Sequence, residues 1–333
     1  MTYELFKEVV AEKILGYMSP DLQNCKVNIH SVDKVNQKLD GLNIVPNEER
    51  GEKVTPTIYL NKMYEHYLDC NDLEKVLMDT AKSMEEGFRG APDTRQMLDF
   101  DQAKDNIIMQ LVNTEQNRGL LANLPHREFQ DLSIIYRWLV NKDGEGIAST
   151  MVNEGLAERL GMDEGQLFQV AVENTKRLMP PTIKTMNEVM RDMFRSDGMP
   201  GEIADMMIGE MPEDRTMYVI SNERGINGAA SMLYEDGLHS LAEKLGTDLY
   251  IMPSSVHEVI AVSTGMGEPN ELAQMVNEIN MDQVSLDERL SNQVYHYDKD
   301  LRKLSLATDT PNKRLDCIVA EPAQIYDSKN PTR

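Results

Sequence analysis

Two serines, a histidine and a glutamate stand together in the stretch LYIMPSSVHEVIAVS, residues 249–263: Ser254, Ser255, His257 and Glu258. A helical zinc site needs a second histidine one turn after a His-Glu pair. Position 261 holds Ala261 instead, so no metal is expected here. A serine nucleophile needs its base within hydrogen-bond reach. The residues after Pro253 alternate as a strand does, and residues i and i+2 of a strand lie about 7 Å apart. That spacing places Ser255 out of reach of His257 unless the turn bends sharply. The same alternation sends His257 and Glu258 to opposite faces. Glu258 then shares a face with Val256, Ile260 and Val262, where a lone carboxylate is costly. Arg137, inside the apolar run SIIYRWLV, poses the mirror problem, and the two are expected either to pair or to line a polar pocket.

A second candidate is SNERGINGAAS, residues 221–231, a strand end running through a glycine-containing loop into a helix start. Helix N-termini bind phosphate, but neither glycine-rich phosphate motif is present. Gly225 and Gly228 read as turn residues, and Ala229 and Ala230 as close packing positions. The candidate cluster is therefore Ser221, Asn222, Ser254, Ser255, His257 and Glu258, with Arg137 as partner. His30, His66, His126, His239 and His296 show no ligand spacing, and no cofactor is expected.

The elements that must position these groups follow from hydrophobic period. Phe6, Val9, Val10, Ile14 and Tyr17 recur at helical spacing. CKVNIHSV, GLNIV and VTPTIYL then read as short strands, and Asn61–Phe88 as helical with Asn71 as a cap, giving α-β-β-β-α-α. NIIMQLVN and DLSIIYRWLV follow as strands. The second is apolar on both faces apart from Ser133 and Arg137, the mark of a central strand. A helix over 163–178 starts at Asp163 and aims Asn174 at the core, where the amide must be satisfied. Residues 182–211 read as helical and Met-rich, broken at SDGMPGE. MYVIS, DLYIM and VHEVIAV read as strands, the last two joined by a tight turn. ASMLYEDGLHSLAEKLG reads as a helix ending at Gly246. PNELAQMVNEIN reads as a helix with Leu272, Met275, Val276 and Ile279 inward. QVYHYD and RKLSLA close a hairpin.

This order predicts an α+β fold with mainly antiparallel connections. A small α/β N-terminal domain (1–88) and a linker (89–100) precede a larger mixed, mainly antiparallel sheet domain with packed helices (101–308). A flexible polar tail (309–333) ends the chain. The chain has 333 residues, 56 acidic against 34 basic, and a net charge of −22. Such a charge repels phosphate backbones and anionic lipid surfaces. No direct nucleic-acid binding and no membrane association are expected, whereas basic protein partners fit. Three scattered cysteines give no disulfide framework, and the N-terminus carries acidic residues foreign to a signal peptide, so a cytoplasmic protein is expected. The 23 methionines fill irregular gaps in a core or form an adaptable binding face.

The segments PTIYLNKMYEHY, DLSIIYRW, AVENTKRLMPPTI, YVISNERGINGAA, LYIMPSSVHEVIAV and LSNQVYHYD, in this order, resemble a bacterial group of unknown function, domain-of-unknown-function group 5688. The resemblance runs from about Tyr3 to Asp298. It implies a bacterial cytoplasmic protein of gut Firmicutes, often encoded near mobile elements, and brings no activity, cofactor or catalytic residue. A non-enzymatic binding or regulatory protein is the expected function. A hydrolase with a site between residues 221–225 and 253–258, and an acidic mimic of nucleic acid, are the alternatives.

Overall fold

A computed structural model describes residues 1–45, 55–90, 100, 102–141, 148–209, 212, 215–309 and 314–316. The expected linker falls largely outside these residues, as do the turn NKDGEG beyond Asn141, Cys317 and most of the expected tail. Two compact units divide the chain, Met1–Asn106 with Trp138–Thr150, and Ile107–Arg137 with Met151–Arg333.

In the first unit the helix α1 (Tyr3–Lys13) buries Phe6 and Val10, four residues apart and so on one helical face. β1 (Lys26–Lys34) and β2 (Gln37–Val45) pair antiparallel from Lys26↔Val45 to Lys34↔Gln37. Asn36, in the tight turn between them, takes the left-handed conformation that asparagine tolerates. β3 (Thr57–Tyr59) adds to the β2 edge. Two helices follow, α2 (Leu60–Cys70) and α3 (Leu73–Gly90). Phe6, Ile14, Leu42, Ile44, Leu60 and Met84 are fully buried in one core. The order α-β-β-β-α-α stands as expected. Asn71, expected as a cap for α3, instead ends α2 in the left-handed region with φ 51°. Asp72 accepts the Lys75 amide hydrogen at 3.0 Å at the start of α3. A carboxylate one residue later does that job, because the αL turn points Asn71 away.

β4 (Ile107–Asn113), β5 (His126–Phe129), β6 (Leu132–Asn141) and β7 (Ala148–Met151) form a sheet in the order β4-β6-β5, with β7 also paired to β6. The strand apolar on both faces is therefore central. Short helices α4 (Arg118–Leu121) and α5 (Glu154–Leu160) lead to α6 (Glu164–Leu178), which opens on a capping box between Asp163 and Gln166. Asn174 on α6 is buried and donates to the Ile107 carbonyl at 3.1 Å, while Arg177 donates to its Oδ1 at 2.7 Å. Thr175 accepts the Met109 amide hydrogen at 2.9 Å. These bonds tie α6 to β4 through backbone groups that lack a ladder partner on that side.

A six-stranded sheet carries the rest, in the order β13-β12-β10-β11-β9-β8, with every neighbouring pair antiparallel. Its strands are β8 (Pro181–Thr185), β9 (Tyr218–Asn222), β10 (Leu249–Met252), β11 (Val259–Ser263), β12 (Tyr295–Asp298) and β13 (Lys303–Leu306). The fold is α+β with mainly antiparallel sheets. β8 corrects the helical reading of residues 182–185: Pro180 and Pro181 push the chain to extended geometry, and proline is tolerated at the start of an edge strand. The helical reading resumes at α7 (Met186–Ser196) and α8 (Gly201–Ile208), with the break at SDGMPGE where expected. The helix expected over residues 230–246 divides into a 3₁₀ turn, Gly228–Leu233, and α9 (Glu235–Leu245), ended by Gly246. α10 (Pro269–Gln283) buries Leu272 and Val276 as expected, but Met275 and Ile279 are exposed. Asn277 and Asn280 take the inward positions, and Asn280 donates to Asn292 Oδ1 at 2.7 Å and to the Ser291 carbonyl at 3.1 Å. The helix turns its polar stripe inward because the segment it covers is itself polar.

Replacing Asn174 with leucine keeps the branched outline of the side chain and removes both bonds. Urea denaturation of Asn174→Leu is expected to show a loss of about 1–3 kcal/mol, since the Ile107 carbonyl and Arg177 lose a buried partner. A loss below a few tenths would show that the amide is dispensable there.

Candidate functional site

The connection from β10 to β11 is six residues long, Pro253–Glu258, not a tight turn, and β11 begins only at Val259. This corrects the extended reading of VHE. His257 and Glu258 lie in a bend, so strand alternation does not govern where they point. The bend is built from polar side chains that satisfy backbone groups. Ser255 Oγ accepts the His257 amide hydrogen at 3.0 Å, and Ser221 Oγ, at the end of β9, donates to the His257 carbonyl at 2.8 Å. The His257 Nδ1 accepts the Asn227 amide hydrogen at 3.2 Å, which leaves Nε2 facing Glu288 Oε1 at 3.5 Å. His257 is about one-third exposed and Glu288 about half.

Neighbouring backbone closes the cluster. Ala229 N donates to the Val256 carbonyl at 3.2 Å, Val256 N to the Glu288 carbonyl at 2.8 Å, and Leu290 N to the Ser254 carbonyl at 2.9 Å. Asn222 folds the preceding loop, its Nδ2 donating to the Ile226 carbonyl and its Oδ1 accepting from the Arg224 amide, both at 2.9 Å. Gly228 sits where a Cβ would lie 2.2 Å from Ser221 Oγ and 2.3 Å from the His257 carbonyl oxygen. Glycine is required there by space.

Five of the sequence candidates thus come together: Ser221, Asn222, Ser254, Ser255 and His257. Glu258 adjoins them but is exposed, and among the described residues it forms no ion pair with Arg137. The alternation that placed Glu258 among apolar side chains fails because the segment is not a strand. Arg137 is half-buried on β6 and donates to Gln110 Oε1 at 3.2 Å, and burial lowers its guanidinium pKa. Gln110, on the adjacent strand, supplies a neutral acceptor. Asn227, Gly228 and Glu288 complete the cluster and were not signalled by motif spacing. They come from a loop and a distant segment that only the fold assembles.

In this arrangement neither buried serine hydroxyl bonds the imidazole; both bond the backbone of His257. The imidazole is held by a backbone amide on one side and a carboxylate on the other. The groups therefore fix the bend. Among the described residues no three histidine, cysteine or carboxylate side chains converge as a metal site.

A second polar cluster had no signal in spacing. Asp131, in the turn between β5 and β6, accepts from Ser291 Oγ at 2.6 Å and from the Tyr295 hydroxyl. Burial, then the Asp131 charge, pushes the Tyr295 hydroxyl well above its ordinary range, so it donates at any physiological pH. The Phe129 ring stacks on Tyr295 at 6.3 Å between centroids.

Gly228→Ala is expected to lose about 1–3 kcal/mol or more in thermal or urea unfolding, since a carbonyl oxygen cannot rotate away. His257→Ala strands the Asn227 amide and is expected to cost about 1–3 kcal/mol. Glu288→Gln is expected to cost about 0–1 kcal/mol, because that contact is largely in solvent. The reverse order would mean that the ion pair, not the amide bond, fixes the imidazole.

Residues 3–299 match the family described as "Family of unknown function (DUF5688)". No curated protein and no solved structure matches the chain. The match takes in most of both compact units and all the residues of the β10–β11 cluster, and the chain belongs to this family of unknown function.

Proposed function

We propose that the protein is a non-catalytic binding protein of the bacterial cytoplasm that engages a basic, amphipathic helix of a partner protein. The observation that carries this reading is the pair α7 and α8. A helix pair in a globular protein normally buries an apolar stripe. Here α7 has no buried residue and α8 only Ala204, yet Met193, Ile203, Met206 and Met207 are exposed, Met206 at 84%. Exposed apolar clusters of this kind mark interaction surfaces. Methionine suits them because its unbranched chain adapts to varied partners.

Charge selects the partner. From Met186 to Ile208 the chain carries Glu188, Asp192, Asp197, Glu202 and Asp205 against Arg191 and Arg195. Arg191 is paired with Asp205 and Asp192 with Lys184, which leaves Glu188, Asp197 and Glu202 against Arg195. The surface is apolar with an acidic surround, on a chain of net charge −22. It complements a helix with an apolar face and lysine or arginine flanks, the helix-in-groove mode of recognition. A second copy of the chain brings the same negative charge and is disfavoured. The mobile-element setting implied by the family resemblance supports a regulatory role for such a contact. The hydrolase reading gains no support from the Ser221 and Ser255 hydroxyls, which are bound to the backbone of His257. The nucleic-acid mimic rests on net charge alone.

Fluorescence anisotropy with a labelled leucine–lysine amphipathic peptide tests the reading. The full chain is expected to bind it, to ignore the leucine–glutamate counterpart, and to weaken at least about tenfold in the double variant Met206→Glu, Met207→Glu. Equal binding of both peptides, indifference to the double variant, or concentration-dependent dimerisation through α8 would overturn it.

A further inference from the structure

The exposure that fits α7 and α8 to a partner also opens their methionine sulfurs to chemistry. Met206 is 84% exposed, Met207 63% and Met193 52%, whereas Met84, Met109, Met232 and Met252 are each at most 3% exposed. Peroxide must reach a thioether to oxidise it, so access decides which methionines react. Hydrogen peroxide is neutral, and the net charge of −22 that turns anions away does not hinder it. Elsewhere in the chain a donor group occupies the sulfur: Arg289 Nη1 lies 3.3 Å from Met281 Sδ, and Asn222 Nδ2 lies 4.0 Å from Met179 Sδ. Among the described residues no donor meets the sulfurs of Met193, Met206 or Met207.

Position on the helix gives the reaction a consequence. Ile203 precedes Met206 by three residues and Met207 by four, so the three share one face of α8. A sulfoxide is polar and takes hydrogen bonds from water. Two of them beside Ile203 would break the apolar stripe that a partner helix must bury. The fold is spared, because α7 buries no residue and α8 only Ala204. The added oxygen enters no core, so oxidation alters the face and leaves the packing beneath it.

We propose that Met193, Met206 and Met207 form a peroxide-sensitive modification site, whose conversion to sulfoxides releases the basic partner helix. The sulfur lone pair attacks one oxygen of hydrogen peroxide. An S–O bond forms as the O–O bond breaks, the sulfur gives up two electrons, and the departing oxygen leaves as water with both protons. Thiol-dependent sulfoxide reductases return the two electrons, and the exposed side chains give such an enzyme access. The release step rests on the basic-helix reading; the place of oxidation does not.

Graded hydrogen peroxide treatment of the full chain, followed by peptide mapping in the mass spectrometer and by anisotropy with the leucine–lysine peptide, tests the proposal. Met193, Met206 and Met207 are expected to gain oxygen at least about tenfold faster than Met84, Met109 and Met252. The oxidised chain is expected to bind the peptide at least about tenfold more weakly, with its melting temperature within about 2 °C of the untreated chain. Sulfoxide reductase is expected to restore binding. The combined variant Met193→Leu, Met206→Leu, Met207→Leu keeps an apolar face that cannot form a sulfoxide. It is expected to bind like the natural chain and to keep that binding after peroxide, although the exposed Met78 and Met275 and the half-buried Cys25 and Cys70 remain. Oxidation of the three no faster than of the buried methionines would overturn the proposal. So would undiminished binding by the oxidised chain, or loss of binding in the peroxide-treated leucine variant. A natural chain that binds no peptide before treatment would overturn the basic-helix reading, and the release step with it.

Discussion

The carbonyl oxygen of His257 and the bare Cα of Gly228 constrain each other. A single added carbon would sit 2.3 Å from that oxygen and 2.2 Å from the Ser221 hydroxyl. Neither obstacle can leave cheaply: one is backbone, and the other is bonded to that same carbonyl. The approach lets Ala229 reach the Val256 carbonyl, and from there Val256 reaches Glu288. Three stretches far apart in sequence are joined there by hydrogen bonds in place of a sheet ladder. Backbone groups in an irregular buried stretch must find partners outside the ladder. Ser221, Ser255, His257 and Asn222 supply them.

The same logic extends along the second unit. Asn174 and Asn280 stand where periodicity alone would call for leucine, and Asp131 stands in a turn; each answers a backbone or hydroxyl group that no strand pairs. Burying an amide is near neutral when it is bonded and costly when it is not. The polar interior thus specifies the arrangement of loops and helix ends more than it adds stability. It also displaces apolar surface outward: with Asn277 and Asn280 inward on α10, Met275 and Ile279 face solvent.

The elements of the fold were largely legible because their signals are local. The strand runs, the Asp163 cap, the central place of β6 and the hairpin of β12 and β13 all follow from period two, period 3.6 and turn residues. The misreadings share a cause. Pro181–Thr185 is too short to show a period, and its strand state depends on pairing with β9. Period assigns the inward face of α10 to its apolar residues, whereas a polar segment opposite reverses part of that choice. At the candidate cluster, Pro253–Glu258 alternates like a strand but bends, since Ser255 caps the chain two residues on. His257 and Glu258 therefore do not occupy opposite faces of a strand. No serine–histidine pair forms for another reason: the Ser221 and Ser255 hydroxyls are engaged with the backbone of His257. The close approach of Gly228 to His257 and the contacts of Glu288 and Asp131 carry no local signal, because those partners lie tens of residues away.

Exposed methionines and a large negative charge belong together physically. An apolar surface such as that of α8 draws copies of a chain to one another by burial of area, at about 25 cal/mol for each square ångström removed from water. Twenty-two uncompensated negative charges act against that contact at every approach. The repulsion is long-ranged relative to the apolar attraction and falls as salt rises. In the proposed reading the pair acts as a filter: like-charged molecules would be turned away before contact, and a positively charged amphipathic segment would be drawn in and then held by the methionines. Attraction at a distance would set the rate of encounter, and the apolar face the lifetime. A neutral chain with the same α7 and α8 would lose that discrimination and would be driven toward itself.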